Sequence, residues 1–339
     1  MKEITIAGAG LAGLVLGNAL RAKGVPVRLH EAGKLPRHRV CGEFISGRGT
    51  KVLRELGLGD CLAGALEHRT TCWYRGGRPA LEAALPSPAA GLSRHRLDQA
   101  LLGRFIQAGG NYQDQSRLRF DPGAPGLADC SGRAVRKSDW IGLKLHCLGL
   151  ETRADLELHL GAQAYLGLSR VEGGRTNVCG LFHRRRDLSE TRERLLAAYL
   201  RATGLDETAE RLDAGQIDPD SHSAVAGIVF GGELLLDSRS LRLGDALGVI
   251  PPFTGNGMSI AIESAALAAD PLHAYAAGHL EWPEAVARTN RACRRAFAGR
   301  LRTAGWLHPW IAGPRRQKLT ASLARRRLLP FHLLYRLTH

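Results

Sequence analysis

Apolar positions at the start of the chain switch from one period to another and back. Ile4 to Ala7 form a short β run, Leu11 to Lys23 carry helical spacing that Gly24 terminates, and Val25 to His30 form a second β run. The prediction is strand, helix, strand. Farther on, helices are predicted around Arg48 to Leu56 and around Arg96 to Ala108, the latter with Ser93 as its cap, while Pro79, Pro86 and Pro88 predict a loop-rich stretch between them. Alternation at Leu156, Leu158 and Leu160, then Tyr165 to Leu168, then Asn177 to Phe182, with Gly173 and Gly174 as a turn, predicts antiparallel sheet in a second lobe. Glu190 to Thr203 reads as a helix and Leu234 to Gly248 as strand and turn. The last quarter reads as helix broken at Pro309, Pro314 and Pro330.

Chemistry enters at the first strand-to-helix junction. Gly8, Gly10 and Gly13 form GxGxxG there, with Leu11 and Ala12 opening the helix, and Glu31 closes the second strand. Gly8 permits a tight turn, Gly10 lets backbone N–H groups approach a pyrophosphate, and Gly13 lets helix and strand pack closely. The helix start favours phosphate charge, and Glu31 is placed to accept hydrogen bonds from a ribose. This pattern predicts a dinucleotide and does not by itself separate NAD from FAD.

A second glycine-opened helix lies in the segment from Arg242 to Ala265. Gly244 and Asp245 end a strand, Pro251 and Pro252 turn the chain, and Gly255, Asn256, Gly257 and Met258 begin an Ala-rich helix. Asp245 suits ribityl or ribose hydroxyls, and the helix start suits negative charge on the N1 and O2 edge of a reduced flavin.

Taken together, the two motifs make the chain resemble the para-hydroxybenzoate hydroxylase and geranylgeranyl reductase superfamily of FAD proteins, over roughly Met1 to Asp270. Three intervening segments add to the resemblance: Pro36 to Phe44, which contains Arg39 and the Cys41-Gly42-Glu43 triplet; Ser93-Arg94 with Leu97-Asp98; and Asp129 to Arg133. The resemblance implies an α/β fold with a Rossmann-type FAD-binding domain, an interleaved antiparallel-sheet substrate lobe and a helical C-terminal tail. It implies an FAD-binding domain over residues 1–275, interrupted by the substrate lobe at about 46–90 and 138–235, and a basic helical region over 276–339. Arg39 and Arg94 are placed by the cofactor, and Tyr112 to Gln115 is a weak match to the strand that covers adenine. Two departures stand out. Gly110 to Asp129 is too short for the β-meander of larger hydroxylases, and Gly248 stands where aromatic hydroxylases usually carry histidine, which favours the reductase-like branch. The flavin halogenases' WxWxI signature is absent, so halogenation is not expected.

The implied activity is oxidoreduction with electrons from NAD(P)H, either hydroxylation of a hydrophobic lipid-like, polyketide-like or aromatic substrate or saturation of a carbon–carbon double bond. A non-catalytic flavin-binding subunit at a membrane is the rival reading. Neither chemistry needs a protein nucleophile, and no metal-ligand motif is present. Cys41 is either a proton donor or a packing residue, and Glu43 either a base or a structural acceptor. Tyr165 and Asn177 either line the substrate cavity or are ordinary sheet residues. His146 and His183 read as surface or core histidines, and Cys130, Cys147 and Cys179 as small core residues.

The chain has 339 residues, is 44% hydrophobic and 23% charged, and has seven scattered cysteines without a CxxC pair, as expected of free thiols in a reducing cytosol. No secretory leader and no spanning segment are expected from the sequence. The formal net charge is +15, and its distribution is uneven. From Ala285 to His339 there are 13 Arg and Lys and no Asp or Glu, which leaves about +2 for the rest. Arg288, Arg291, Arg295 and Arg302 mark one face of a helix and Val286, Cys293, Phe297 and Leu301 another. Such a tail suits an anionic membrane surface, an acidic carrier protein, or packing on the body with a solvated outer face; nucleic acid is disfavoured because no recognition motif accompanies the charge. A cytoplasmic protein, peripheral at the membrane in the first case, is the expectation.

Overall fold

The structure, a computed structural model, describes residues 1–134, 137–230 and 233–339, so positions 231 and 232 of the interval assigned to the substrate lobe lie outside the described residues. Strand β1 (Ile4–Ala7), helix α1 (Leu11–Ala22) and strand β2 (Val27–His30) make the opening unit. After them come β3 (Phe44–Ile45), α2 (Gly49–Glu55), β4 (Leu66–Arg75), β5 (Arg78–Gly91), α3 (Arg94–Gln107), β6 (Asn111–Gln113) and β7 (Leu127–Asp129). The middle of the chain supplies β8 (Trp140–Leu148), β9 (Leu156–Gly161), β10 (Ala164–Val171), β11 (Arg175–His183), α4 (Leu195–Ala202), α5 (Asp206–Ala214) and β12 (Gln216–Ala226). Its last part holds β13 (Leu241–Arg242), α6 (Gly257–Ala276), α7 (Trp282–Ala312), α8 (Pro314–Arg325) and α9 (Phe331–Thr338).

Two sheets result. A five-stranded parallel sheet has the order β13-β7-β1-β2-β6, and an eight-stranded mixed sheet has the order β12-β8-β11-β10-β9-β4-β5-β3. The α/β class with a Rossmann-type unit and a largely antiparallel second sheet is therefore as expected. In the parallel sheet the chain leaves β1 for β2 on one side and returns with β7 on the other. The crevice at the carboxyl ends of β1 and β7 is thus a topological switch point, where α/β sheets place ligands.

Helix α1 is buried along almost its whole length, because the parallel sheet covers one side while α3 and α6 cover others. Leu14, Val15, Leu16 and Leu20 are fully buried there, each contributing roughly 2 kcal/mol of transfer free energy. Asn18 is the polar exception, and its amide donates to the carbonyls of Leu14 and Leu101, which ties α1 to α3.

Three expectations need correction. The loop-rich stretch around Pro79, Pro86 and Pro88 is strand β5. His68 pairs with Ala89 but Thr70 with Ala84, so Pro86 and Pro88 fall in a bulge where no ladder donor is required. Pro309 does not interrupt the last quarter: α7 runs through it to Ala312. The helix expected from Glu190 starts only at Leu195. Within the basic region α7 buries Cys293, Phe297, Leu301 and Ala304 against Leu247, Ile250 and Ile260, and Arg300 pairs with Glu263 at 2.9 and 3.2 Å.

The tightest constraint in the opening unit sits at Gly13, where a Cβ would lie 2.0 Å from the carbonyl oxygen of Gly8. Gly13→Ala is expected to cost about 3 kcal/mol or more, since neither backbone has room to move. Denaturant unfolding of the purified variant checks this, and a midpoint equal to the parent's contradicts it.

Candidate functional site

A cavity of about 1420 Å³ opens at the switch point. Ordinary single-ligand pockets run from about 300 to 1,000 Å³, so this one has room for a long ligand and a second molecule. Gly8, Gly10, Leu11 and Ala12 line one end, and Gly244, Asp245, Gly255, Gly257 and Met258 line another part of the same space. Both glycine-opened helices therefore start on one continuous cavity.

The first end is shaped by backbone. Gly8 has φ of 101°, and a Cβ there would come within 2.5 Å of the Cys130 carbonyl, so the loop after β1 passes against the turn after β7 with no side chain between. At Gly10 an added Cβ meets nothing closer than 3.9 Å. No side chain caps α1 at Gly10, nor α6 at Asn256, which leaves first-turn N–H groups of both helices for water or a ligand. Glu31 is buried and holds the loops in place: one carboxylate oxygen accepts from the Ala9 N–H at 3.1 Å, the other from Gly33 N–H at 3.1 Å and Arg37 at 2.9 Å. Asp129 does the same for the turn after β7, accepting from the N–H and hydroxyl of Ser131.

Cationic groups converge on this space. Arg94 is locked by a bidentate pair with Asp98, both bonds 2.8 Å. Arg39 is less engaged. Its Nε lies 3.5 Å from Asp98 and an Nη 3.6 Å from Glu31, and both nitrogens are buried without a hydrogen-bond partner. Arg133 likewise leaves Nε unpartnered. Asp245 is exposed only in the sense that it faces the cavity; the surrounding protein pushes its carboxyl pKa up, against the pull of Arg133, Arg94 and Arg39. Unspent guanidinium donors, uncapped helix starts and a hydroxyl acceptor make a donor set that fits a dinucleotide with a pyrophosphate and a polyol.

The far wall comes from the mixed sheet and the loop before α6. Tyr165, Leu158, Leu181, Ile228, Phe230 and Phe253 make it apolar and aromatic. Tyr165 is buried, with its hydroxyl lacking a side-chain partner. Asn177 does not line this cavity: its amide donates to the Cys41 carbonyl at 3.0 Å and to Ser169 at 3.3 Å, bracing the wall from behind. Asn256 is also buried away from it, with its amide donating to the Thr338 carbonyl. Gly13 does not line the cavity, and its lack of a side chain lets α1 pack against Gly8.

Cys41 lines the cavity, and burial pushes its thiol up, beyond what nearby Arg94 offsets, so it is protonated near neutrality. Glu43 lies outside the cavity lining. Its left-handed backbone, φ 56°, turns the carboxylate into a buried network. One oxygen accepts from the Arg94 N–H at 3.1 Å and pairs with Lys144 at 3.3 Å, and the other bonds His146 Nε2 at 2.5 Å. Burial pushes the carboxyl up, but the His146 bond and the Lys144 charge outweigh it and hold it below the usual range. A buried carboxylate fully spent on such partners is a structural anchor rather than a base. Lys144 also reaches Nδ1 of His38 at 3.0 Å. Ligand atoms of His38, His146 and Asp218 lie within 4.8 Å of one another, but the Lys144 ammonium beside them opposes a further cation. His183 packs edge-on to Trp140 outside the cavity, and Cys130 lines it as a buried thiol.

Residue spacing did not reveal several lining groups. Ser116, Arg117, Leu118, Arg119 and Phe120 form part of the cavity wall in the stretch where the resemblance offered no strand. Irregular backbone carries no period, so only the density of arginines there gave a signal. Tyr112, in the suggested adenine cover, sits on edge strand β6 and does not line the cavity.

His308 packs behind the aromatic wall, its ring centroid 4.8 Å from Phe230 and 6.1 Å from Tyr165, with Nε2 buried and unpartnered. Burial pulls its pKa down to about 4. Between that value and about 6.5 the unfolded chain binds the proton that the folded one refuses, so stability falls as pH drops through this window. His308→Phe keeps a ring and removes the titration. Thermal unfolding from pH 7 to pH 4 is expected to show a shallower loss for the variant, and parallel curves contradict the assignment.

No family model matches this sequence, and no curated protein matches it at the sequence level. Solved structures do. PqsL of Pseudomonas aeruginosa, described as a probable FAD-dependent monooxygenase, shares 17% identity at a TM-score of 0.71, with 95% of this chain and 100% of that one covered. HpxO of Klebsiella pneumoniae, solved with FAD and uric acid, gives 18% and 0.73 over 99% and 97%. The halogenase PltM gives 16% and 0.70 over 96% and 84%. At these identities the common property is the architecture: this chain has the fold of the FAD-dependent monooxygenases over essentially its full length.

Proposed function

We propose that the protein is an FAD-dependent oxidoreductase, a flavin monooxygenase acting on a hydrophobic substrate with electrons from NAD(P)H. The observation that carries the reading is the single cavity onto which the starts of α1 and α6 both open, with an aromatic wall across from them. The two helix starts are far apart in sequence, and only a long, anionic ligand uses both.

In this reading the N–H groups of Leu11 and Ala12, with Arg39, hold the pyrophosphate, and Glu31 takes the adenosine ribose. Arg94 stays by the cofactor with its charge fixed by Asp98. Asp245 accepts from ribityl hydroxyls, which offsets its buried charge. The N–H groups of Gly257 and Met258, at the uncapped start of α6, would face the pyrimidine edge of a bound flavin and favour negative charge there. When bound and reduced, FAD supplies either hydride or activated oxygen. Tyr165, Phe230 and Phe253 then bind the apolar substrate and exclude water.

Double-bond reduction remains the second reading because Cys41 offers a protonated thiol at the cavity wall, as protonation of a carbanion requires. Substrate-dependent NAD(P)H oxidation separates the two: hydroxylation consumes oxygen and stops without it, whereas reduction proceeds anaerobically.

The purified protein is expected to show flavin absorbance that denaturation releases. Gly10→Val places a branched side chain in open cavity rather than against protein, so it is expected to lower FAD occupancy at least tenfold while the apoprotein unfolds within about 1 kcal/mol of the parent. Full occupancy in that variant contradicts the placement of the phosphates.

A further inference from the structure

The C-terminal helices present their outer face in an unusual state. Leu328 is 65% exposed, Leu333 56% and Leu337 48%, and all three lie within one stretch, Arg325-Arg326-Arg327-Leu328-Leu329-Pro330 followed by α9. Arg325, Arg326, Arg327 and Arg336 are exposed among them. Leu333 and Leu337 sit one turn apart on α9 with Arg336 beside them, and with His332 they make up the exposed face of the helix. The turn is well formed, with Arg327 in a left-handed conformation (φ 59°) and Leu328 N–H bonded to the Leu323 carbonyl.

The opposite face of α9 is committed to the protein. Phe331 meets Trp73 edge-on at 5.9 Å, Tyr335 stacks on His339 at 3.7 Å, and Phe331 and Tyr335 both line the cavity. His339 reaches Ser46 at 2.9 Å, and Thr338 accepts from Asn256 at the start of α6. The outward leucines are therefore not waiting to fold inward, because the inward positions are filled.

From these observations we infer that residues Arg325 to Leu337 form a docking surface for an anionic lipid bilayer, with Leu328, Leu333 and Leu337 entering the interface and Arg325, Arg326, Arg327 and Arg336 pairing with headgroups. Three features favour lipid over an acidic protein. Exposed leucines and arginines lie side by side on α9 and on the turn before it, as on interfacial helices. Ala285 to His339 carries no acidic residue to repel an anionic plane. None of the three leucines lines the cavity, so they project from the turn and from α9 without a groove of that cavity around them. Among the described residues no helix is long and apolar enough to cross a membrane, so the attachment is peripheral. Docking there sets one helix, about 10 Å thick, between the lipid and the cavity wall. This surface is independent of the cavity's chemistry and stands even if the oxidoreductase reading fails.

Sedimentation of the full chain with vesicles tests it. Binding is expected to phosphatidylcholine vesicles containing phosphatidylglycerol, to be weak on pure phosphatidylcholine, and to fall as salt rises. Leu333→Ser with Leu337→Ser is expected to lower partitioning about a hundredfold, near tenfold per leucine. Arg325→Gln, Arg326→Gln and Arg327→Gln together are expected to lower it by a similar factor, near fivefold per charge. On the unaltered protein, hydrogen exchange is expected to slow across residues 325–337 when anionic vesicles are added. No binding to anionic vesicles overturns the inference, as does binding that the serine variants leave unchanged. Equal retention by polyglutamate, with the same indifference to the serines, identifies a charge-only surface for an acidic protein instead.

Discussion

Two turns meet at the carboxyl end of the parallel sheet, and everything in the candidate site is positioned by how closely they meet. The loop leaving β1 runs against the Cys130 carbonyl with no space for a side chain at Gly8, and Gly13 lets α1 fall onto the same loop. That double approach aims the start of α1 into the crevice. Glu31 and Asp129 then fasten the two turns from either side. A ligand bound there rests on backbone whose alternatives have been removed by sterics, which is how a site is made rigid without side chains of its own.

A second constraint joins helix α3 to the mixed sheet. Glu43 sits between α3 and β8, holding the Arg94 N–H, Lys144 and His146 at once. Removing one partner of such a buried network leaves an unpaired charge, a loss of roughly 3 to 5 kcal/mol. The network lies immediately behind the segment that carries Arg39, Val40 and Cys41 along the cavity. Its role is to fix that segment, and with it the boundary between the dinucleotide end of the cavity and the aromatic end.

How much of this was legible in sequence depended on the range of the interaction responsible. Strand, helix, strand and GxGxxG are local, and their periods and spacing were readable directly. So was the Ser93 cap, whose hydroxyl accepts from the Arg96 N–H. Strand β5 was hidden because its prolines look like loop punctuation until the partner strand shows that they fall in a bulge. Glu43 was left open between base and structural acceptor because residue type alone does not reveal that Lys144 and His146, about a hundred positions away, take both its oxygens. Asn177 was left open for a related reason: alternation along β11 identifies a face, but not whether the cavity or another segment's backbone lies against it. The long basic helix α7 was anticipated as amphipathic, yet only packing shows that its apolar face completes the core around Leu247 and Ile260.

The placement of proline in the mixed sheet bears on how the protein behaves when crowded. Strand β12 ends the sheet on one side, and Pro219 lies where its register slips between Asp218 and Ser223. On the other side β3 covers β5 only at Ala90 and Gly91, and Pro86 and Pro88 interrupt the stretch beyond. Each margin thus has proline at its irregular point, where it offers no amide donor to an added strand. A sheet of eight strands with apolar faces is a template for self-association, and these imino acids make each border a poor place to nucleate it.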